Sequence, residues 1–142
     1  MAPLFAALLV LHGRIHLLGT AKAFGWAALP QLTVPIAPVT GAVWLAASVL
    51  FLWAAVALFL QPRWWWLIAA VAVGLSTVVV ALSWTDARAG ALLNGVVAVG
   101  ALFGFLSQGP FSLRAEFEHD VASLLPGGAS TAPVTEADLA LS

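Results

Sequence analysis

Residues 40–84 read TGAVWLAASVLFLWAAVALFLQPRWWWLIAAVAVGLSTVVVALSW. They hold two uncharged apolar runs, 40–60 and 64–84, and the three residues between the runs include Pro62 and Arg63. A helix needs about 20 apolar residues to cross the hydrocarbon core of a bilayer, so each run has spanning length. Because the connection is short and contains a helix breaker, the two runs are predicted to form an antiparallel pair of membrane-spanning helices.

Two further apolar runs, at residues 3–19 and 89–106, flank this pair. The whole chain is 63% hydrophobic and only 8% charged. Soluble domains average roughly 25% charged residues, so a chain this apolar cannot cover a surface that faces water. The sequence therefore predicts an all-α, four-helix transmembrane bundle over residues 1–110, in a multi-pass protein of the cell membrane.

The tryptophans are consistent with four spans. This topology places Trp64, Trp65 and Trp66 at one membrane interface and Trp26, Trp44 and Trp84 near the other, as two belts of interface anchors. Four spans also put both termini on the same side of the membrane. Lysine and arginine are almost evenly divided between the two sides, so the orientation stays open.

The residues after the fourth run have a different pattern. Within 111–125, Leu113, Phe117 and Val121 recur at helical spacing with charged residues between them. This pattern predicts an amphipathic helix that lies on the bilayer or on a protein partner. Residues 126–142 begin with proline and glycines and are predicted to be a flexible tail or a truncated junction to a missing domain. A net charge of −1 gives no basic surface for nucleic acid.

Four strongly polar residues lie inside the apolar runs: His12, Arg14 and His16 in the first and Asn94 in the fourth. His12 and His16 are four residues apart and share one face of a helix, whereas Arg14 points to the opposite face. Ionisable groups are costly inside a membrane, which makes them candidates for function. These four residues are therefore the candidate ligand-binding positions.

The two histidines have several possible roles. A zinc site needs three or four protein ligands, and Asp86 is the one acid near the spans. A haem with two histidine ligands needs them on opposite sides, which His12 and His16 on one helix face cannot supply. A quinone head group needs only one or two donors in an apolar pocket, and hydrogen bonds to Asn94 or Ser76 need no ligand. We therefore predict no metal and no resident cofactor, leave a quinone open, and favour interhelical hydrogen bonds.

Charged residues gather at one end of the predicted spans. Lys22 follows the first span, and Asp86 and Arg88 lie between the third and the fourth. The first and third spans run parallel in a four-span bundle, so these ends are level with each other. We expect Asp86 to form an ion pair with Arg14 or Lys22, with Arg88 as a further candidate, because an unpaired charge is unfavourable there.

Gly100 and Gly104 form a GxxxG pattern in the fourth run. Small residues at this spacing let two helices approach closely. In a chain so rich in alanine and glycine, the pattern favours contacts within the bundle over a dedicated dimer face.

Three stretches carry a resemblance to known proteins. LVLHGRIHLLGTAKAFG at 9–25, PRWWW at 62–66 and SWTDARAG at 83–90 together resemble the N-terminal four-span region of a bacterial membrane family of unknown function. Members of that family often continue into a soluble domain, which implies one beyond this chain. The HGxxH stretch at 12–16 is similar to the DoxX-like four-helix membrane proteins, and that likeness implies redox partners and a quinone-linked role.

Two functions follow as hypotheses. The first is a non-catalytic membrane domain that anchors or scaffolds a protein partner or a missing C-terminal domain. The alternative is a DoxX-like membrane subunit that binds a quinone or a similar lipophilic head group at the His/Arg/Asp cluster. A small transporter is less favoured, because the second and third spans offer no charged pathway. No paired carboxylates, nucleophile with a base, or phosphate loop indicates an enzyme.

Overall fold

The computed structural model describes residues 2–60 and 63–124, which form an all-α bundle as predicted. Four helices are long and apolar enough to cross a membrane, and the chain is therefore a multi-pass membrane protein. The five helices are α1 (Ala2–Ala23), α2 (Pro38–Leu60), α3 (Trp65–Leu82), α4 (Trp84–Gln108) and α5 (Leu113–Leu124). The tail predicted at 126–142 lies outside the described residues.

Two helix ends differ from the predicted spans. α1 continues past Gly19 to Ala23, and Gly25 follows with a φ of 69° that suits a residue without Cβ at the end of a helix. Gly19 is a close-contact position, since a Cβ there would overlap the Trp44 ring. α4 begins at Trp84, five residues before the predicted fourth span. Asp86 therefore belongs to the first turn of α4 and not to a polar turn between α3 and α4.

The helices pack in chain order, α1 on α2, α2 on α3 and α3 on α4. Their shared core is built largely from alanines around a few large side chains, of which Leu9 and Phe51 are completely buried. Small side chains allow close approach of the helix backbones, which is the main source of attraction between helices when lipid is the solvent. The outer faces carry exposed leucine, valine and phenylalanine, as a surface in contact with lipid requires.

Glycines on α4 make room for aromatic rings of the same bundle. Gly100 faces Phe5, and Gly104 faces Trp65 and Trp66. As a result Trp65 is only 6% exposed and lies edge-on to Phe5, with ring centroids 6.2 Å apart. This position differs from the interface anchor expected for Trp65, because Gly104 opens space for the ring inside the bundle.

Three of the other expected anchors, Trp26, Trp64 and Trp84, are exposed. Trp66 is half-buried, and its indole N–H donates to the Arg63 carbonyl at 2.8 Å. These positions are compatible with rings at the level of lipid head groups.

The amphipathic segment forms α5, which begins after Ser112. The Ser112 hydroxyl accepts a hydrogen bond from the Ala115 backbone N–H at 3.2 Å and so caps the helix. α5 touches only the end of α4 among the described helices, and Phe117 and Val121 remain exposed. The apolar face of α5 is thus available to lipid or to a partner.

Candidate functional site

Both histidines of α1 lie inside the bundle. His12 and His16 are each 1% exposed, on the face of α1 that also carries Leu9 and Gly19. Arg14 is exposed on the other side of the helix, as the helical spacing requires. The structure therefore separates Arg14 from the histidines, and a single site containing all three does not form.

The histidines are hydrogen-bonded to side chains of α3 and α4. His12 Nε2 donates to Asn94 Oδ1 at 2.9 Å, and His16 Nε2 lies 2.9 Å from the Ser76 hydroxyl. His16 Nδ1 donates to the His12 carbonyl at 3.0 Å, which fixes the orientation of its ring. Ser76 also contacts Asn94 Oδ1 at 2.7 Å, and Asn94 Nδ2 donates to Thr77 Oγ1 at 3.2 Å. One polar network, formed by His12, His16, Ser76, Thr77 and Asn94, thus joins three helices.

Aromatic rings surround the network on the α2 side. The His12 ring lies edge-on to Phe51 with centroids 4.5 Å apart, and the His16 ring lies 5.0 Å from Trp44. Phe51 is fully buried and Trp44 nearly so. These rings shield the network from lipid and hold the imidazoles in place, so the network contacts every helix of the four-helix bundle.

The network has no further metal ligands. Within the described residues, no group of three or more histidine, cysteine, aspartate or glutamate side chains could hold a metal ion. Three of the four ring nitrogens of His12 and His16 are already within hydrogen-bond distance of protein groups. Of the ring nitrogens of these two histidines, only His12 Nδ1 has no protein partner.

A cavity of about 160 Å³ lies beside the network. His12, His16 and Trp44 form one wall, Gly90 and Leu93 of α4 form another, and Leu32 of the connector between α1 and α2 covers one end. An engineered core cavity of about 150 Å³ binds benzene, so this space has the volume of one six-membered ring. Its lining is mostly apolar, and its polar residues include His12, His16 and Asp86.

Two side chains that line the cavity keep a polar atom without a partner. Among the described residues, three buried side-chain atoms make no hydrogen bond: His12 Nδ1, Trp44 Nε1 and Ser48 Oγ. His12 and Trp44 line the cavity, and Ser48 does not. With His12 Nε2 donating to Asn94, Nδ1 is the acceptor nitrogen, whereas the indole N–H is a donor. Buried polar atoms are almost always paired, so two unpaired atoms beside one cavity are an unusual concentration.

Comparison with protein-family models, curated proteins and solved structures finds no match for this chain.

Asp86 anchors the connector and forms no ion pair with Arg14. Its two carboxylate oxygens accept hydrogen bonds from the Thr33 hydroxyl and the Val34 backbone N–H, both at 2.7 Å. Lys22 donates to the Leu32 carbonyl from the other side. No ion pair of Arg14, Lys22 or Arg88 with Asp86 is present among the described residues. In place of the expected ion pair, Asp86 and Lys22 hold a segment of the connector, residues 32–34, between α4 and α1, and we call this segment the strap. Leu32 of the strap lines the cavity.

We expect Asp86→Ala to loosen this strap without unfolding the bundle. The Val34 N–H loses its acceptor, so its hydrogen exchange should accelerate by roughly an order of magnitude, the effect of losing one hydrogen bond. Hydrogen exchange with mass spectrometry on the purified protein in nanodiscs measures this. Arg88→Ala is the control, because Arg88 is exposed on α4 two residues after Asp86, and it should leave exchange at Val34 unchanged. Equal exchange in both variants would contradict the strap.

Sequence reasoning did not find three of the residues described above. The topology predicted Trp44 to be an interface tryptophan. Leu32 and Thr33 lie between the first and second apolar runs, and the sequence pattern assigned them no role. A signal for Trp44 exists in hindsight, because Gly19 on the neighbouring helix leaves room for a ring. No comparable signal marks Leu32, whose position depends on how the connector folds back.

Proposed function

We propose that this chain is a non-catalytic membrane domain that anchors or scaffolds a protein partner or a domain that follows it. The observation that carries this proposal is the polar network between α1, α3 and α4. Its members hydrogen-bond to one another across helix interfaces, which is how polar side chains hold a bundle together in lipid. The polar network thus supports a role in holding the transmembrane helices together.

The composition of the network supports a non-catalytic role. Proton-transfer catalysis needs a titratable group within hydrogen-bond reach of the substrate. Both ring nitrogens of His16 and Nε2 of His12 contact protein groups, so His12 Nδ1 is the one ring nitrogen of the two histidines without a partner. The described residues of the network include no carboxylate, lysine or arginine. Asp86, the nearest acid in the sequence of α4, is engaged by the strap.

The end of the described chain supports an anchoring role. α5 leaves the bundle after α4 and presents Phe117 and Val121 on its apolar face, with Glu116 and Asp120 among its polar residues. An interfacial helix in this position suits attachment to the bilayer surface or to a protein partner. Its acidic residues favour a partner protein over strongly anionic lipid.

The scaffold proposal is tested by replacing hydrogen-bonded partners of the network and measuring the free energy of unfolding of each variant. If the network holds the bundle, His12→Leu and Asn94→Leu each lower the free energy of unfolding, and the two losses depend on each other. Variants that keep the stability of the parent protein would show that the network is dispensable for the bundle. That result would remove the observation on which the proposal rests.

A second candidate function is binding of a quinone or a similar lipophilic head group in the cavity. The cavity has the volume of one ring, and the bilayer supplies such molecules directly. A carbonyl oxygen of the ring can accept a hydrogen bond from Trp44 Nε1, and a hydroxyl group of the reduced form can donate to His12 Nδ1. Both unpaired atoms would then have partners, which the scaffold role alone does not provide.

This second function predicts a specific effect of Trp44→Phe. The change keeps an aromatic ring and removes the indole N–H, so affinity for a methyl-substituted benzoquinone should fall by roughly tenfold, the effect of one hydrogen bond. Titration of the protein in nanodiscs measures the Kd. Trp53→Phe is the matched control, because Trp53 lies on the same helix and is 57% exposed. Equal Kd values for the two variants, or no binding by the parent protein, would exclude this function.

A further inference from the structure

The bundle is open on one side. α1 and α2, α2 and α3, and α3 and α4 contact each other along much of their lengths, whereas α1 and α4 touch at few positions. A seam therefore runs between α1 and α4. Since these helices span the membrane, the seam faces the hydrocarbon core of the bilayer.

A second and larger cavity, of about 600 Å³, lies on this seam. It occupies the half of the seam nearer to the start of α1 and the end of α4, where Leu8, Val96 and Phe103 are among its lining residues. No charged side chain lines it among the described residues, and its polar side chains, Ser107 and Gln108, lie at the end of α4. Its chemistry suits a hydrocarbon chain.

The two cavities are lined by the same faces of the same two helices. On α4, Gly90 and Leu93 line the smaller cavity, and Val96 and Phe103 line the larger one, at helical spacings of three, three and seven residues. On α1, Leu8 of the larger cavity lies one turn before His12 of the smaller cavity. The cavities are thus successive parts of one seam.

The seam has the length of a membrane-spanning ligand site. Asp86 lines the smaller cavity and Gln108 lines the larger one. At a rise of 1.5 Å per residue, the helix between them is about 33 Å long, close to the ~30 Å thickness of the hydrocarbon core. The two cavities therefore lie at successive levels of the membrane along α4, and a chain that starts from a ring at the histidine end reaches the larger cavity where it passes from Leu93 to Val96.

We propose that the α1–α4 seam binds one lipophilic molecule with a long hydrocarbon chain, its ring in the smaller cavity and its chain in the larger cavity. The proposal rests on the head-group site described under the second candidate function. It adds a second binding site, in the larger cavity, for the hydrocarbon chain of the same molecule. The polar side chains of His12, His16 and Asp86 in the lining of the smaller cavity favour a ring that carries oxygen atoms. The uncharged lining around Val96 selects a hydrocarbon chain over a second polar group.

The test compares two benzoquinones that carry the same ring, one with a methyl and one with a decyl substituent. Affinities are measured in nanodiscs at equal concentrations within the membrane, so that partitioning into lipid does not contribute. The decyl compound should bind the parent protein roughly fivefold more tightly, a contact effect of the size found between helices in membranes. Val96→Trp, which fills the larger cavity, should abolish this difference and leave the Kd of the methyl compound unchanged.

Val99→Trp is the matched control, because Val99 is exposed on α4 and lines neither cavity. It should keep the full difference between the two compounds. Equal effects of Val96→Trp and Val99→Trp would overturn the chain site while leaving the ring site standing. If the methyl compound does not bind the parent protein, the ring site fails and the proposal fails with it.

A phospholipid acyl chain is the competing occupant of the larger cavity. A phospholipid with a photoreactive acyl chain tests for it by cross-linking to the parent protein. The decyl compound should displace this label from α1 and α4, and the methyl compound should not. If neither compound displaces the photoreactive phospholipid, the larger cavity holds a structural lipid and the proposal is wrong.

Discussion

Gly41→Ala should lower the free energy of unfolding by about 1–3 kcal/mol, the range for overpacking a well-filled core. A Cβ at residue 41 would overlap the Cβ of Ala23 where α1 and α2 cross. Neither Cβ can rotate away, because each is attached directly to a helix backbone. The helices must therefore separate, and separation also weakens the contact between the Thr20 hydroxyl and the Gly41 carbonyl.

Equilibrium unfolding in mixed micelles with increasing SDS measures the effect. Gly74→Ala is the control, because a Cβ at residue 74 on α3 meets no atom within 4 Å. The control should be neutral or stabilising by up to about 1 kcal/mol, since alanine favours a helix more than glycine does. Equal stability of the two variants would mean that α1 and α2 do not cross as closely as described.

The helices were largely predictable from the sequence, and the reason is the solvent. In lipid every backbone N–H and C=O needs an internal partner, so long uncharged runs such as 40–60 and 64–84 must be helical. Their ends were less predictable. Gly19 resembles a helix end in the sequence, but α1 continues through it to Ala23, because this glycine serves the close contact with the Trp44 ring.

Asp86 shows why charged residues at the membrane boundary were harder to place. The sequence offers cations nearby, and an ion pair is the simplest partner for a carboxylate. The connector between α1 and α2 is irregular, however, so backbone N–H groups such as that of Val34 lack partners in a helix. Asp86 accepts from Val34 and Thr33, and this outcome depends on a fold of the connector that residue spacing does not encode.

The positions of the histidines were more predictable than the contacts of Asp86 and less predictable than the helices. Helical spacing alone indicates that His12 and His16 share a face and that Arg14 does not. The sequence also offers few polar side chains in the other spans, which limits the choice of partners to residues such as Asn94 and Ser76. The cavity beside them follows from the shapes of Trp44, Gly90 and Leu32 together, and no single stretch of sequence predicts it.

Asn94→Leu should give the second large effect, a loss of about 1–2 kcal/mol in the free energy of unfolding. The variant removes the acceptor of His12 Nε2 and leaves the buried imidazole without a side-chain partner at short distance. A buried polar group that loses its partner destabilises a protein by about 1–3 kcal/mol, and measured interhelical bonds in membranes reach about 1.7 kcal/mol. Asn94 also supports Ser76 and Thr77, so the loss spreads over the whole network.

The most direct test of the account is a double-mutant cycle between His12→Leu and Asn94→Leu, measured by equilibrium unfolding of the two single variants and the double variant. The account predicts that each single variant is destabilised and that the double variant loses less than the sum, with a coupling of about 0.6–1.7 kcal/mol. The double variant removes both partners, so no unpaired imidazole remains in the bundle. Losses that add within about 0.3 kcal/mol, or single variants as stable as the parent protein, would contradict the claim that this network holds the bundle together.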